Sequence, residues 1–253
     1  MSSVLKCPHC NGEFEFENEP LEEIINPTVS VVRRNTDRSS WHEIANNIIN
    51  GRARIMFDVG DSIECNLKDG RKVIIDVASI NPFGENEVIF CFRDSYWRHS
   101  MNTRNTNRGG FCESGMNTYL NEDVFCQLPD DLQDVIVPRH IVQNINGTKY
   151  ECYSKLWQPS INEVYGDRYN EYRTDVDDVQ FEIFKNPKYR VKFDEDGETV
   201  WWFLRSPYAT NSTYFWNVYY NGSMNYNGAS GTYAVVPCFS IKAKKSEDEE
   251  TNE

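Results

Sequence analysis

Val200-Trp-Trp-Phe-Leu-Arg-Ser-Pro207 carries large apolar side chains at consecutive positions and closes on a proline. With a period of two, Val200, Trp202 and Leu204 lie on one face, and Trp201, Phe203 and Arg205 on the other. Apolar residues on both faces mark a central strand, buried from either side, and Pro207 ends it. A second buried strand follows at Tyr233-Ala-Val-Val-Pro-Cys-Phe-Ser-Ile241. Between the two, Val218–Tyr220 and Ser223–Tyr226 flank Asn221-Gly222, the dipeptide that closes a tight hairpin.

Upstream the same period governs. Ile63, Cys65 and Leu67 alternate, Lys68-Asp-Gly-Arg71 turns the chain, and Val73 to Val77 return. Val88–Phe92 supplies a third strand, so an antiparallel meander is predicted. Residues 98–110 read as a polar loop, and Met116–Phe125 and the stretch after Pro129 as short helices. In the second helix Leu132, Val135 and Ile136 are expected to face inward. Residues 139–155 return to strand, and 158–198 read as a long decorated loop with one short helix near Val179–Phe184. Ahead of the meander, Trp41, Ile44, Ala45, Ile48 and Ile49 form a helical stripe. Ser40 and Glu43 sit at capping-box spacing, and Gly51 suits the position just past the end. This helix is expected to dock on the main domain or on a partner subunit.

The division that results is 1–30 as a CxxC appendage, 31–54 as an amphipathic-helix linker, 55–242 as the main domain, and 243–253 as an acidic disordered tail. The predicted class is α+β, with antiparallel strands and short helices. In the appendage, Cys7-Pro-His-Cys10 has the form of half a zinc ribbon. Zinc takes four tetrahedral N/S ligands, and no second CxxC is present. His9, between the two thiols, is poorly placed as a third ligand. Three readings stand: a homo-oligomer sharing one zinc, a site completed by a distant Cys or His, or a remnant.

The formal net charge of −13 repels polyanions, so nucleic acid is not an expected partner. Arg33, Arg34 and Arg38, or Lys242, Lys244 and Lys245, could form local basic patches, and solvated surface is the preferred reading. The N-terminus lacks the apolar core of a secretory signal, and no apolar run is long enough to span a membrane. A cytoplasmic or virion location is expected, with the 8 Cys mostly reduced and buried as small hydrophobes.

Two further stretches join the first two in a resemblance. Tyr119-Leu-Asn-Glu-Asp123, Ser160-Ile-Asn-Glu-Val-Tyr-Gly166, Trp201-Trp-Phe-Leu-Arg-Ser-Pro207 and Ala234-Val-Val-Pro-Cys-Phe239 occur in that order. The arrangement resembles an uncharacterised bacterial and prophage domain family, DUF6273-like, with a Trp-Trp-Leu-Arg-Ser-Pro signature and a closing Gly-Val-Arg-Pro-Ala-Phe. Here Phe203 is additional, Val236 stands at the usual Arg and Cys238 at the usual Ala. The resemblance covers residues 55–242. It implies a C-type-lectin-like fold, shared with the variable proteins of diversity-generating retroelements and with formylglycine-generating enzymes. The former display side chains from a variable C-terminal surface on a rigid scaffold.

Composition points the same way. Between Tyr208 and Tyr233 the chain is dominated by Tyr, Asn and Ser, and no charged residue occurs from Ser206 to Ser240. Tyr offers large amphipathic contact at low rotamer entropy, and Asn and Ser offer adaptable hydrogen bonds. The predicted ligand-binding residues are Tyr208, Asn211, Tyr214, Trp216, Asn217, Tyr219, Asn221, Asn225, Tyr226 and Asn227, facing an unknown protein or glycan. Calcium is not expected, because this surface has no carboxylate. Trp216-Asn217 and Gln158-Pro159 only faintly resemble calcium-lectin motifs, without their acidic residues. No catalytic residue is assigned: the 4 His lie outside the signature region. An enzyme on the same fold and a structural phage or prophage component are the alternatives.

Overall fold

The computed structural model describes residues 3–6, 13–16, 40–167, 174–176 and 178–243. Cys7, His9, Cys10, Arg33, Arg34, Arg38, Lys244, Lys245 and the acidic tail lie outside the described residues. The chain separates into two units, Met1–Val31 and Val32–Glu253. In the first, strands β1 (Ser3–Lys6) and β2 (Glu13–Phe16) pair antiparallel.

The second unit is α+β and built mainly of antiparallel sheets with short helices. Helix α1 (Trp41–Ile49) starts at Ser40, whose Oγ accepts the Glu43 N–H at 3.2 Å. The apolar stripe read in the sequence is its buried face: Trp41, Ile44, Ala45 and Ile48. Trp41 meets Phe90 and Phe239 edge-on, at 5.7 and 6.0 Å between ring centroids. The helix therefore belongs to the core of this unit. Helix α2 (Ala53–Met56) follows it.

Strands β3 (Ser62–Asn66), β4 (Lys72–Ile80) and β5 (Glu87–Phe92) form the expected meander, with Gly70 at φ 90° in the first turn. The last strand of the chain, β15 (Cys238–Lys242), pairs with β5 and completes the sheet β15-β5-β4-β3. Strand β6 (Trp97–Ser100) leads into the polar loop and then into α3 (Gly115–Tyr119). A π turn at Leu120–Val124, α4 (Phe125–Gln127) and α5 (Asp130–Val135) follow. Leu132 and Ile136 are buried and Val135 half-buried. Strands β7 (Arg139–Ile145) and β8 (Thr148–Ser154) make a separate hairpin.

Residues 158–198 differ from the predicted loop. They hold α6 (Ile161–Tyr165), two 3₁₀ turns at Glu182–Lys185 and Pro187–Arg190, and β9 (Lys192–Phe193), which pairs with β10 (Thr199–Val200) just beyond. A full capping box fixes the start of α6. The Ser160 Oγ accepts the Glu163 N–H, and the Glu163 carboxylate accepts the Ser160 N–H. Ile161, Val164, Phe181, Ile183 and Phe184 are buried, so the segment is part of the core.

The second sheet is five-stranded, in the order β13-β12-β11-β14-β6. Its members are β11 (Trp202–Pro207), β12 (Tyr214–Val218), β13 (Met224–Gly228), β14 (Thr232–Val235) and β6. Strand β11 is central and buried on both faces, as its sequence predicts, with β12 antiparallel on one side and β14 parallel on the other. Trp202 and Leu204 are buried completely, and the Trp202 indole N–H donates to the Arg190 carbonyl at 2.9 Å.

Four of the cysteines depart from the reduced state expected of them. Cys91 and Cys238 face each other in the β5–β15 register and form a disulfide. Cys112 and Cys152 form a second, which ties the loop before α3 to β8. Sequence spacing alone does not reveal these pairs, because each joins cysteines that meet only through sheet pairing or loop packing. Cys65 is free and buried, and burial pushes its thiol up to about 11.

Candidate functional site

Two places collect the chemistry-bearing residues. The first is a buried ion cluster. Arg205, 1% exposed, reaches Glu163 at 2.5 Å, Asp178 at 2.6 Å and Asp175 at 2.9 Å. It also donates to the Gln158 carbonyl at 3.1 Å. Arg139 bonds Glu163, and bonds Asp178 at 2.7 Å. The Ser206 hydroxyl donates to Asp175 and accepts the Ile161 N–H at 2.9 Å. Gln143 donates to Asp175 at 3.0 Å.

Among the described residues, three carboxylates face two guanidinium groups. Burial raises the Glu163 and Asp175 carboxyls above the usual carboxylate range, against the pull of the arginines. Burial by itself would lower Arg205, and the surrounding carboxylates overcome that and hold it above its ordinary value. The cluster explains two of the sequence signatures at once. The Arg and Ser of Trp201–Pro207 bind the Glu, Ile and Asp of the segment after Ser160. A third signature is also structural. In Tyr119–Asp123, the Asn121 amide donates to Ser154 Oγ and to the Leu156 carbonyl, and accepts the N–H groups of Lys155 and Leu156. The signatures clamp helices to strands, so they report the fold.

The second place is the hairpin β12–β13 with the turn before it. The structure separates the ten residues predicted as one ligand face. Tyr214 and Trp216 pair across the hairpin with Gly228 and Tyr226, which puts them on one side. There Tyr226 stacks on Tyr208 at 4.6 Å and on Tyr214 at 5.4 Å, and Trp216 meets Tyr208 edge-on. Phe215 and Asn217 pair with Asn227 and Asn225 on the opposite side. Tyr219 lies against Trp201, which stacks on Tyr233. Trp216 and Asn217 are buried, so they are not on a ligand surface. Consecutive residues of a strand point to opposite faces, and from Phe215 to Val218 both faces of β12 are covered. Asn221 sits in the turn, where its Oδ1 accepts from Ser223 and Gly222 has φ 81°.

The side carrying Tyr208, Tyr214 and Tyr226 is held from behind. Asn107, 4% exposed, donates through its amide to the carbonyls of Tyr208, Asn211 and Tyr214 at 3.2, 2.8 and 2.8 Å. Its N–H group donates to Ser212. Asn107 lies in the loop that the sequence marks only as polar, and no spacing signal identifies it. Tyr226 is 44% exposed, Tyr208, Asn211 and Tyr214 are half-buried, and Ser212 is exposed. Among the described residues no group of three His, Cys, Asp or Glu is placed to hold a metal ion. Nor is any helix there long and apolar enough to cross a membrane.

This architecture defines an α+β domain of antiparallel sheets, locked by a buried ion cluster and carrying a charge-free aromatic hairpin at one end of its five-stranded sheet. The chain belongs to the family described as Domain of unknown function (DUF6273), whose model matches residues 86–243. The match spans the ion cluster and the hairpin, and β3 and β4 precede it. No curated protein and no solved structure matches the chain.

Proposed function

We propose that the chain is a ligand-binding or receptor-recognition module on a C-type-lectin-like scaffold, and that Tyr208, Asn211, Tyr214 and Tyr226 form its contact surface. One observation carries the reading. Three tyrosines stack on each other at a partly exposed edge, in a stretch with no charge from Ser206 to Ser240, on backbone pinned by a buried Asn107. Preformed aromatic contacts lose little conformational entropy on binding, which suits them to be anchors. Tyr219, Asn225 and Asn227, on the other side of the hairpin, form its flank. The ligand is a protein or a glycan, and the absence of charged residues in this stretch favours neutral groups on it.

Zinc binding through Cys7 and Cys10 belongs to this proposal as an appendage function, separate from the hairpin. A photoreactive phenylalanine analogue placed at position 226 tests the surface. The reading expects crosslinks to a partner from the native source, and none from the same analogue at position 64, on the meander. Equal crosslinking from both positions would remove the support for the hairpin.

A further inference from the structure

A groove of about 330 Å³ lies between the π turn after α3 and strand β8. It is on elements separate from the hairpin, and the proposed function makes no use of it. Its wall is Tyr153, 74% exposed, an unusual exposure for a tyrosine in a strand. Tyr153 is nevertheless fixed, because His140 stacks on it with centroids 4.8 Å apart and planes at 17°. One ring face is thus backed and the other remains as a shelf.

Asn117 and Asn121 make a rigid floor. The amide of Asn121 is fully engaged with Asn117, Ser154, Lys155 and Leu156, and Asn117 donates to the Cys112 carbonyl. The π turn at Leu120–Val124 brings Asn121 and Glu122 to the lining. Such turns are rare and concentrate at functional sites. Around the shelf stand Thr118, Glu122 and Lys155, the last with its ammonium 4.2 Å from the Phe125 ring.

The chemistry of the lining selects the ligand. Glu122 and Lys155 put one charge of each sign on the lining, so it favours neither a net anion nor a net cation. Thr118, Glu122 and Lys155 offer both acceptors and donors, which suits hydroxyl groups. The open face of Tyr153 is the negative face of an aromatic quadrupole and attracts a patch of polarised C–H groups. A sugar ring has hydroxyls on its rim and C–H groups on its face. The groove is at the small end of ligand sites, which run from about 300 to 1,000 Å³, so it suits a single ring.

We infer that this groove is a carbohydrate subsite that takes one pyranose ring of a neutral glycan against Tyr153. The test is saturation-transfer NMR on the full chain with glucose, galactose, mannose and N-acetylglucosamine, each as the free sugar. At least one should receive saturation on its ring C–H protons, with affinity in the millimolar range usual for a single small ring. Tyr153→Ala should weaken that binding by about tenfold or more, because an aromatic anchor is removed. Glu122→Gln, which leaves the shelf intact, should weaken it by a smaller factor. Tyr226→Ser should leave it unchanged, which separates this site from the hairpin. Melting curves should show all three variants folded, with Tyr153→Ala and Tyr226→Ser lowered by a few degrees for the ring stacks that they lose. No transfer to any of the four sugars would overturn the inference. So would binding that survives both Tyr153→Ala and Glu122→Gln, or that is lost in Tyr226→Ser.

Discussion

Arg205→Met should unfold the domain more readily than any exposed substitution. Arg205 is 1% exposed and is held by Glu163, Asp175 and Asp178. Among the described residues, the cluster with Arg139 holds two positive and three negative groups. Removing Arg205 takes one positive charge from a buried site and leaves its carboxylate partners undercompensated. Breaking a buried ion pair from one side typically costs about 3–5 kcal/mol. For a domain of this size each kcal/mol lowers the melting temperature by about 2–4 °C, so a drop of about 6–20 °C is expected. Urea denaturation followed by circular dichroism would give the loss as a shift in midpoint at unchanged slope. Arg205→Lys keeps the charge and loses the planar fork, and should lie between the two.

The pH dependence has a definite sign. Burial raises the Glu163 and Asp175 carboxyls in the folded chain, so the folded state binds more protons than the unfolded one. The window lies between the ordinary carboxylate value, about 4, and the raised folded value. Through that window this cluster's contribution to stability rises as pH falls. In Arg205→Met the carboxyls rise further, so the deficit should shrink on going from neutral pH toward 5. A deficit under about 1 kcal/mol at neutral pH, or one that grows on acidification, would refute the assignment of the cluster as a clamp.

Trp202→Ala removes a fully buried indole and its bond to the Arg190 carbonyl, and should cost about 3–5 kcal/mol in the same denaturation assay. A loss under about 0.5 kcal/mol would mean that β11 is not the central strand. Alkylation of unfolded protein without reductant should leave Cys91, Cys112, Cys152 and Cys238 unmodified, read by peptide mass spectrometry. In the native protein Cys126, which is exposed, should react with maleimide at neutral pH while Cys65 does not, since its thiol is held at about 11.

The parts of the fold that follow a single period are legible in the sequence. The stripe of α1, the meander β3–β5 and the two-sided strand β11 all announce themselves by spacing. The segment after Gln158 does not, because its decisive residues are charged. Glu163, Asp175 and Asp178 look like solvated surface until Arg205, distant in sequence, is brought among them. Ser160 and Glu163 have capping-box spacing, a helix signal that the prediction of a loop there did not use. The hairpin shows the opposite failure. Its composition identifies a contact surface, but composition has no direction. The strand period assigns Tyr214 and Tyr226 to one side and Asn217 and Asn225 to the other, and burial removes Trp216 and Asn217 altogether. Asn107, which pins that surface through three carbonyls, was out of reach because nothing local in its loop ties it to residues about a hundred positions later.

The recognition surface itself is tested most directly by replacing Tyr214 and Tyr226 together with Ser. Wild type and variant would be immobilised side by side and exposed to a glycan array and to lysate of the native source, with the retained ligand then titrated. The double change removes aromatic stacks worth about 0.5–1.5 kcal/mol each, so the melting temperature should fall by several degrees while the fold is kept. Aromatic anchors carry most of the energy of an interface, so the ligand retained by wild type should bind the variant at least about tenfold more weakly. A variant that keeps its fold and binds that ligand as tightly as wild type would contradict the account.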